Sequence, residues 1–161
     1  MVVGDIAGLA QGHGCLSLVT NDQGGILDDT VITNAGDYIY MVVNGATKFG
    51  DMEHFKAQMA DFKGEVCMDY LEDTMQLLAL QGPGAAAAVS KLLPTGFDLK
   101  NMAFMTGTPT TLDGVDGCRI TRYVLVISLG VELSLSNLGV QPVLLRIVCV
   151  HAFHSHVFRF L

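Results

Sequence analysis

The chain has 161 residues, half of them apolar, and a formal net charge of -7. This length supports one domain with a substantial core, and the apolar fraction excludes a disordered chain. The acidic balance excludes a nucleic-acid-binding protein, because no basic stripe is present to neutralise phosphates.

The first part of the chain predicts three strands. Residues 15–22, 24–35 and 37–45 are rich in apolar and β-branched residues and are bounded by polar or glycine-containing turns. The segment 22–25, with the sequence DQGG, predicts a hairpin between the first two strands, because glycine readily supplies a positive φ.

An amphipathic helix is predicted over residues 46–64. Its apolar side chains recur at spacings of three and four, the pattern of a helix face that packs on a core: Phe49, Met52, Phe55, Met59 and Phe62. Gly64 is placed to end this helix.

The following segments predict, in order, two strands, a short helix and a β-hairpin: 65–71, 76–82, 82–94 and 103–122. Pro83 stands near the first turn of the short helix and Pro94 would stop it. The order of strands and helices predicts an α+β fold with a mainly antiparallel sheet and two helices.

The predicted core consists of apolar positions that repeat at strand or helix period: Leu16, Leu18, Ile26, Ile32, Ile39, Met41, Val43, Phe55, Met59, Val66, Leu78, Leu80, Val89 and Leu92. The four cysteines, Cys15, Cys67, Cys118 and Cys149, lie far apart without a CxxC pair. We therefore expect reduced, mostly buried thiols instead of disulfides or a zinc site.

The composition changes at Tyr123, which divides the chain into a region 1–122 and an apolar tail 123–161. All but one of the 16 acidic residues and all but two of the nine basic residues precede it. A membrane span in the tail is disfavoured, because Glu132 and Arg146 leave thirteen uncharged residues between them, fewer than the ~18 that a span needs. Two or three buried strands are the ordinary alternative, and translation into a retained intron is a third.

Two neighbouring carboxylates, Asp28 and Asp29, lie in the second predicted strand. Adjacent side chains of a strand point to opposite faces, which excludes a paired-carboxylate acid/base dyad here. One carboxylate faces the core or a ligand and the other faces solvent or a turn, and the spacing does not say which. A purely structural role for both stays open.

Other motifs give weaker indications of function. The sequence GPGAAA does not match a phosphate loop, and no lysine is placed to meet a phosphate. His151, His154 and His156 have no carboxylate beside them, so no metal site is expected. The N-terminal residues show neither a signal peptide nor a transit peptide.

Several segments occur in the order found in one family: VVGDIAGL, LSLVTNDQGGILDDTVITN, YIYMVVNGATKFGDMEHFK, LLALQGPGAA and CRITR. From Met1 to Arg122 the chain resembles the aminomethyltransferase (T-protein) family of the glycine cleavage system, in its eukaryotic, mitochondrial branch. The resemblance implies part of that family's folate-binding domains and a mitochondrial location. It also implies transfer of an aminomethyl group from the lipoylated H-protein to tetrahydrofolate, giving 5,10-methylenetetrahydrofolate and ammonia.

The resemblance implies roles for individual residues. Asp29, the second aspartate of GGILDD, corresponds to the family's catalytic carboxylate, which also binds folate. Val31 and Asn44 correspond to positions near the folate, and Asp28 keeps a structural role.

The sequence departs from the family pattern before Val2 and after Arg122, where family motifs that include a folate-binding glutamate and arginine are not found. The resemblance therefore implies an inactive fragment whose apolar tail is its weakest part. One alternative is a non-catalytic folate-binding protein of the kind that assists iron–sulfur assembly, although its KGCYxGQE-type motif does not occur. Another alternative is a membrane or interaction module built on the tail.

Overall fold

The computed structural model describes residues 1–125, 128–136 and 155–160, with side chains for residues 1–122. Its elements in chain order are β1 (Gly14–Thr20), β2 (Ile26–Asn34), β3 (Ile39–Asn44), α1 (Lys48–Asp61), β4 (Met68–Tyr70), β5 (Met75–Gln81), α2 (Ala85–Val89), β6 (Thr106–Leu112), β7 (Val115–Leu125), β8 (Ser128–Ser136) and β9 (Ser155–Phe160). They form two compact units. The predicted α+β fold with mainly antiparallel sheets and two helices is confirmed.

The first unit contains Met1–Leu71 and β9. Its five strands pair antiparallel in the order β1-β2-β3-β9-β4. One face of this sheet and helix α1 enclose a core of side chains that alternate along the strands: Val19, Ile32, Met41, Val43 and Phe55. The core therefore fixes which face of β2 points inward.

The hairpin between β1 and β2 forms as the sequence predicts. Gly24 has a φ of 78°, a backbone conformation that side chains disfavour. The side-chain oxygen of Asn21 accepts hydrogen bonds from the backbone N–H groups of Gln23, at 3.1 Å, and of Gly25, at 2.7 Å. This turn sets the register that places Leu18 opposite Asp29.

The second unit contains the described residues from Glu72 to Ser136. Its four strands pair antiparallel in the order β5-β8-β7-β6, and α2 joins the core of this unit. The predicted hairpin of β6 and β7 is confirmed, with Asp113 at a φ of 48° and Gly114 at 83° in its turn. Two consecutive positive φ angles are typical of a two-residue hairpin turn.

Two predicted core residues are wrong. Leu16 is 68 % exposed and Ile26 is 65 % exposed. On β1 the inward residues are Ser17 and Val19, so Leu16 lies on the opposite face. Ile26 begins β2, where the strand extends beyond the core. The other predicted core positions are buried or half-buried.

The apolar stripe predicted for α1 is also partly wrong. Phe49 is 74 % exposed and Phe62 is 59 % exposed, whereas Asp51 and Phe55 are the buried residues of the helix. The helix ends at Asp61 without help from Gly64, because Phe62 turns to an extended backbone and its N–H bonds to the Met59 carbonyl oxygen.

Helix α2 is shorter than predicted. It spans Ala85–Val89, after an N-cap at Gly84, and ends before Pro94 is reached. Of the described cysteines, all of which are free, Cys118 is buried, Cys15 is half-buried and Cys67 is exposed. The expectation of mostly buried thiols is therefore wrong for Cys67, and Cys149 lies outside the described residues.

The division of the chain at residue 122 stays a prediction. β7 continues from Val115 to Leu125, and β8 and β9 take positions inside the two sheets. His151 and His154 lie outside the described residues. Neither helix in the described part of the chain is long and apolar enough to cross a membrane.

Candidate functional site

Strand β2 separates the two neighbouring carboxylates. Asp28 is only 7 % exposed and shares the inward face with Thr30 and Ile32. Asp29 points to the other face and is exposed. The sequence predicted opposite faces without deciding between them, and the structure places Asp28 inside and Asp29 outside.

The carboxylate of Asp28 accepts three hydrogen bonds from Asn44 and Thr47. Its Oδ2 accepts from the backbone N–H of Asn44 at 3.1 Å and from the Thr47 hydroxyl at 2.9 Å. Its Oδ1 accepts from Nδ2 of Asn44 at 2.8 Å. Asp28 thereby ties β2 to the end of β3 and to the start of α1, which is the structural role that the resemblance implied.

The pKa of Asp28 is lowered below its ordinary value. Burial by itself would raise this pKa, but the hydrogen bonds from Asn44, Thr47 and Asp51 favour the ionised form and together outweigh it. Asp28 is therefore a carboxylate at neutral pH whose oxygens are already in use inside the protein.

The carboxylate of Asp29 has free capacity. Its Oδ1 accepts one hydrogen bond from Nδ2 of Asn44 at 2.9 Å, and its backbone carbonyl oxygen lies 3.3 Å from the same nitrogen. Within the described part of the chain, Oδ2 of Asp29 has no partner. A carboxylate oxygen that is exposed and oriented by one amide is available to accept hydrogen bonds from a ligand.

Asn44 connects the two carboxylates although they lie on opposite faces of β2. Its Nδ2 contacts Oδ1 of Asp28 at 2.8 Å and Oδ1 of Asp29 at 2.9 Å. Both neighbours are acceptors, which assigns the nitrogen and not the oxygen of the amide to this position. Because both N–H groups are committed, only the amide oxygen of Asn44 remains for a ligand.

The surface around Asp29 is apolar. Val31 is half-buried on the same side of β2, and its partner across the ladder is the exposed Leu16. Leu18 lies directly opposite Asp29, and Leu27, which precedes it on the same face, is 40 % exposed. The Asp29 carboxylate is thus surrounded by apolar side chains, a combination that suits a ligand with a flat apolar ring and polar nitrogens.

Asp51, in the first turn of α1, belongs to the same group of residues and was missed by sequence reasoning. It is 2 % exposed, and among the described residues its Oδ2 is buried without a hydrogen-bond partner. Burial, the charge of Asp28 and a hydrogen bond with Asp28 raise the pKa of Asp51 to about 6. The available signal, an acidic residue in a first helical turn, is normally explained by the helix dipole.

The sequence-predicted site residues therefore lie together. Asp29, Val31 and Asn44 occupy one end of the β2–β3 pair, with Asp28 beneath them. Among the residues that the structure describes, no group of three or more histidine, cysteine, aspartate or glutamate side chains is arranged to hold a metal ion.

Comparison with protein-family models identifies the family of this chain. The family model described as the GCVT N-terminal domain matches residues 1–150. The chain belongs to the GCVT N-terminal domain family. The family match runs beyond Arg122, where the recognisable motifs end, and the resemblance to the aminomethyltransferase family is confirmed.

Curated relatives within the GCVT family carry the name aminomethyltransferase, mitochondrial. The chain is 41 % identical over 142 residues to the one from Dictyostelium discoideum, a match that covers 85 % of this chain and 34 % of the relative. It is 43 % identical over 141 residues to that of Mesembryanthemum crystallinum, with coverages of 85 % and 34 %. It is 38 % identical over 145 residues to that of Homo sapiens, with coverages of 86 % and 34 %.

A solved structure of the GCVT family has the same fold. The chain superposes on the glycine cleavage system aminomethyltransferase T from Bartonella henselae with a TM-score of 0.65 and 28 % sequence identity. That match covers 88 % of this chain and 36 % of the other. The chain thus spans about a third of the length of the relatives it matches.

Proposed function

We propose that this chain supplies folate-binding residues of a tetrahydrofolate-dependent aminomethyltransferase of glycine cleavage. In the proposed reaction the aminomethyl group on the lipoyl arm of the H-protein passes to tetrahydrofolate. The products are 5,10-methylenetetrahydrofolate, ammonia and the reduced lipoyl arm. Because the chain spans about a third of its relatives, the complete reaction is proposed for a protein of their full length.

The observation that carries this proposal is the difference between the two carboxylates. Asp28 is buried and its oxygens are occupied. Asp29 is exposed and oriented by Asn44, and within the described residues its Oδ2 has no hydrogen-bond partner. A fold that needed only a polar turn would not require a second carboxylate held outward by an amide that also binds the first. The arrangement supports Asp29 as the group that meets a ligand.

The chemistry of the reaction suits an exposed, oriented carboxylate. Two bonds form between the methylene carbon and nitrogens of tetrahydrofolate, while the bonds from that carbon to the lipoyl sulfur and to the departing ammonia break. Positive charge develops on nitrogen during these steps. A fixed carboxylate can hold the N–H groups of the reduced pterin in reacting geometry and stabilise that charge. Asp29 is the proposed catalytic residue.

Asn44 and Val31 would complete the folate contacts of this face. The amide oxygen of Asn44 can accept a hydrogen bond from the pterin, since its N–H groups already bind Asp28 and Asp29. Val31 and Leu16 offer apolar contact to the ring. The names of the curated relatives support a mitochondrial location for this chain. The H-protein is the proposed partner because the proposed reaction starts from its lipoyl arm.

Titration of the chain with tetrahydrofolate tests the proposal. Asp29→Asn keeps the size of the side chain and removes its charge, so we expect affinity to fall by about 10-fold or more, as for a lost hydrogen bond to a charged group. Asp22→Asn, in the exposed turn between β1 and β2, is the matched control and should bind like the unchanged protein. Equal affinity of the Asp29→Asn variant and the unchanged protein would contradict the assignment.

A further inference from the structure

The folate contacts proposed for Asp29 give the buried carboxyl of Asp51 no role. It lies 2 % exposed in the first turn of α1 and forms a hydrogen bond with Asp28. Two carboxyl groups can hydrogen-bond to each other only when one of them carries a proton, since an ionised carboxylate has no donor. Below about pH 6 the pair therefore shares one proton in the folded protein.

The surroundings assign that proton to Asp51. Asp28 accepts from a backbone N–H, an amide N–H and a hydroxyl, which all favour its ionised form. Asp51 has one oxygen that is buried and has no hydrogen-bond partner in the part of the chain that the structure describes. A neutral carboxyl tolerates an unpaired carbonyl oxygen far better than a carboxylate tolerates an unpaired charged oxygen.

In the described part of the chain, the titratable groups on the elements around Asp51 include Asp28 of β2, Lys48 and His54 within one turn of α1, and Tyr70 of β4, which packs against the core of the first unit. Asp28 is the group whose charge acts on Asp51. The ammonium of Lys48 lies 5.0 Å from the ring centre of the exposed Phe49, on the next residue of the helix.

Asp51 connects to Asp29 through two hydrogen-bonded residues. Asp51 binds Asp28, Oδ1 of Asp28 accepts from Nδ2 of Asn44 at 2.8 Å, and the same nitrogen donates to Asp29 at 2.9 Å. If Asp51 lost its proton, two buried carboxylates would repel each other and one would have to move or take up water. Movement of Asp28 would remove the acceptor that fixes the Asn44 amide.

We propose that Asp51 is a positioning residue for Asp29: the proton between Asp51 and Asp28 keeps Asp28 in place, Asp28 fixes the Asn44 amide, and this amide orients the Asp29 carboxylate. The effect on folate rests on the proposed function, whereas the effect on the Asp29 side chain does not. Asp51 touches no ligand in this scheme, and it acts through Asp28 and Asn44.

The test is carbon-13 NMR of the aspartate carboxyls in the full 161-residue chain, recorded from pH 4 to pH 8. We expect Asp51 to titrate with a midpoint of about 6 and the carboxyl signal of Asp29 to show an inflection at the same pH. Asp51→Asn offers Asp28 an amide donor in place of the proton and should abolish that inflection. Glu53→Gln, exposed on the same helix, is the matched control and should keep it.

A second variant separates the hydrogen-bonded route from simple charge repulsion across space. Asn44→Ala removes the amide that joins Asp28 to Asp29 and leaves Asp51 beside Asp28. We expect Asp51 still to titrate near 6 in this variant while the Asp29 inflection disappears. Retention of the inflection in Asn44→Ala, or an Asp51 midpoint near its ordinary value of 3.8 in the unchanged chain, would overturn the proposal.

A binding measurement in the same samples distinguishes this proposal from the proposed function. Tetrahydrofolate affinity should decrease as the pH rises through about 6 in the unchanged chain and should be flat in Asp51→Asn. If tetrahydrofolate does not bind to any of the proteins, the proposed function fails for this chain. The NMR inflection then still decides whether Asp51 positions Asp29. Binding whose pH dependence is the same in Asp51→Asn would overturn the positioning role and leave the proposed function intact.

Discussion

Replacing Asp28 by asparagine should destabilise the first unit far more than the same change at Asp29. The Asp28 carboxylate accepts three hydrogen bonds of 2.8 to 3.1 Å from Asn44 and Thr47. Asparagine puts an NH₂ group where one of the two oxygens stands. At least one of the donors that now point at Asp28 would then face another donor.

The size of the loss follows from these bonds. A hydrogen bond to a charged group contributes about 1.5–3 kcal/mol, and a buried donor left unpaired costs about 1–3 kcal/mol. Because Asp51 would no longer face an anion, part of this loss is offset. We expect the free energy of unfolding to fall by about 2–4 kcal/mol at pH 7 for Asp28→Asn. Asp29→Asn, which changes one contact at an exposed group, should cost less than about 1 kcal/mol.

Urea denaturation of the two variants and the unchanged chain, followed by circular dichroism, measures the difference. The lowered pKa of Asp28 means that its stabilisation is present above the ordinary carboxyl value of 3.8 and is lost as the pH falls through the lower folded-state value. The gap between Asp28→Asn and the unchanged chain should therefore narrow in acid. Equal costs for the two variants, or a gap that widens below pH 4, would refute the reasoning.

Four further predictions follow from the structure. In a protein of the relatives' length, Asp29→Asn should lower ammonia release by ~10²-fold or more, and an equal effect of Asp28→Asn would contradict the separate roles. Because the pKa of Asp51 is raised to about 6, the stabilisation from its proton is fully present below pH 3.8 and is lost as the pH rises through about 6. Between pH 4 and pH 8 the free energy of unfolding of the unchanged chain should therefore fall by about 1–3 kcal/mol relative to that of Asp51→Asn. Gly107→Ala would place a Cβ 2.8 Å from a threonine hydroxyl oxygen and should cost about 1–3 kcal/mol by thermal unfolding, unless that side chain rotates away. A chain of residues 1–122 should lose cooperative unfolding, because it lacks β8 and β9, each of which pairs with strands on both sides. A higher soluble yield from this shorter chain would instead favour the prediction that the tail is the least stable part of the protein.

Local patterns predicted the elements well but not which of their faces is buried. The alternation of side chains along β2 showed that Asp28 and Asp29 point to opposite faces of the sheet. Which of the two faces is buried depends on the packing of Phe55 of α1 against Ile32 and Met41. Apolar residues at strand period predict a core position for Leu16, whereas the inward residues of this strand are Ser17 and Val19. Hydrophobicity alone could not anticipate an apolar face that remains exposed.

The residues of the candidate site were predicted from the resemblance, and the structure adds the contacts among them. The resemblance named Asp29, Val31 and Asn44, but the bridge from Asn44 to both carboxylates depends on the register in which Thr30 pairs with Val43. Asp51 could not be found from its spacing, because an acidic residue in a first helical turn normally faces solvent. Its burial arises from the packing of α1 on the end of β3.

A crystal structure of this chain with tetrahydrofolate bound tests the central claim most directly. This claim is that Asp28 stabilises the fold and Asp29 binds the ligand. We predict a pterin nitrogen within hydrogen-bond distance of Oδ2 of Asp29, with the oxygens of Asp28 still bound to Asn44 and Thr47. Folate bound away from the exposed face of β2, or bound there through Asp28 with Asp29 in solvent, would contradict the account.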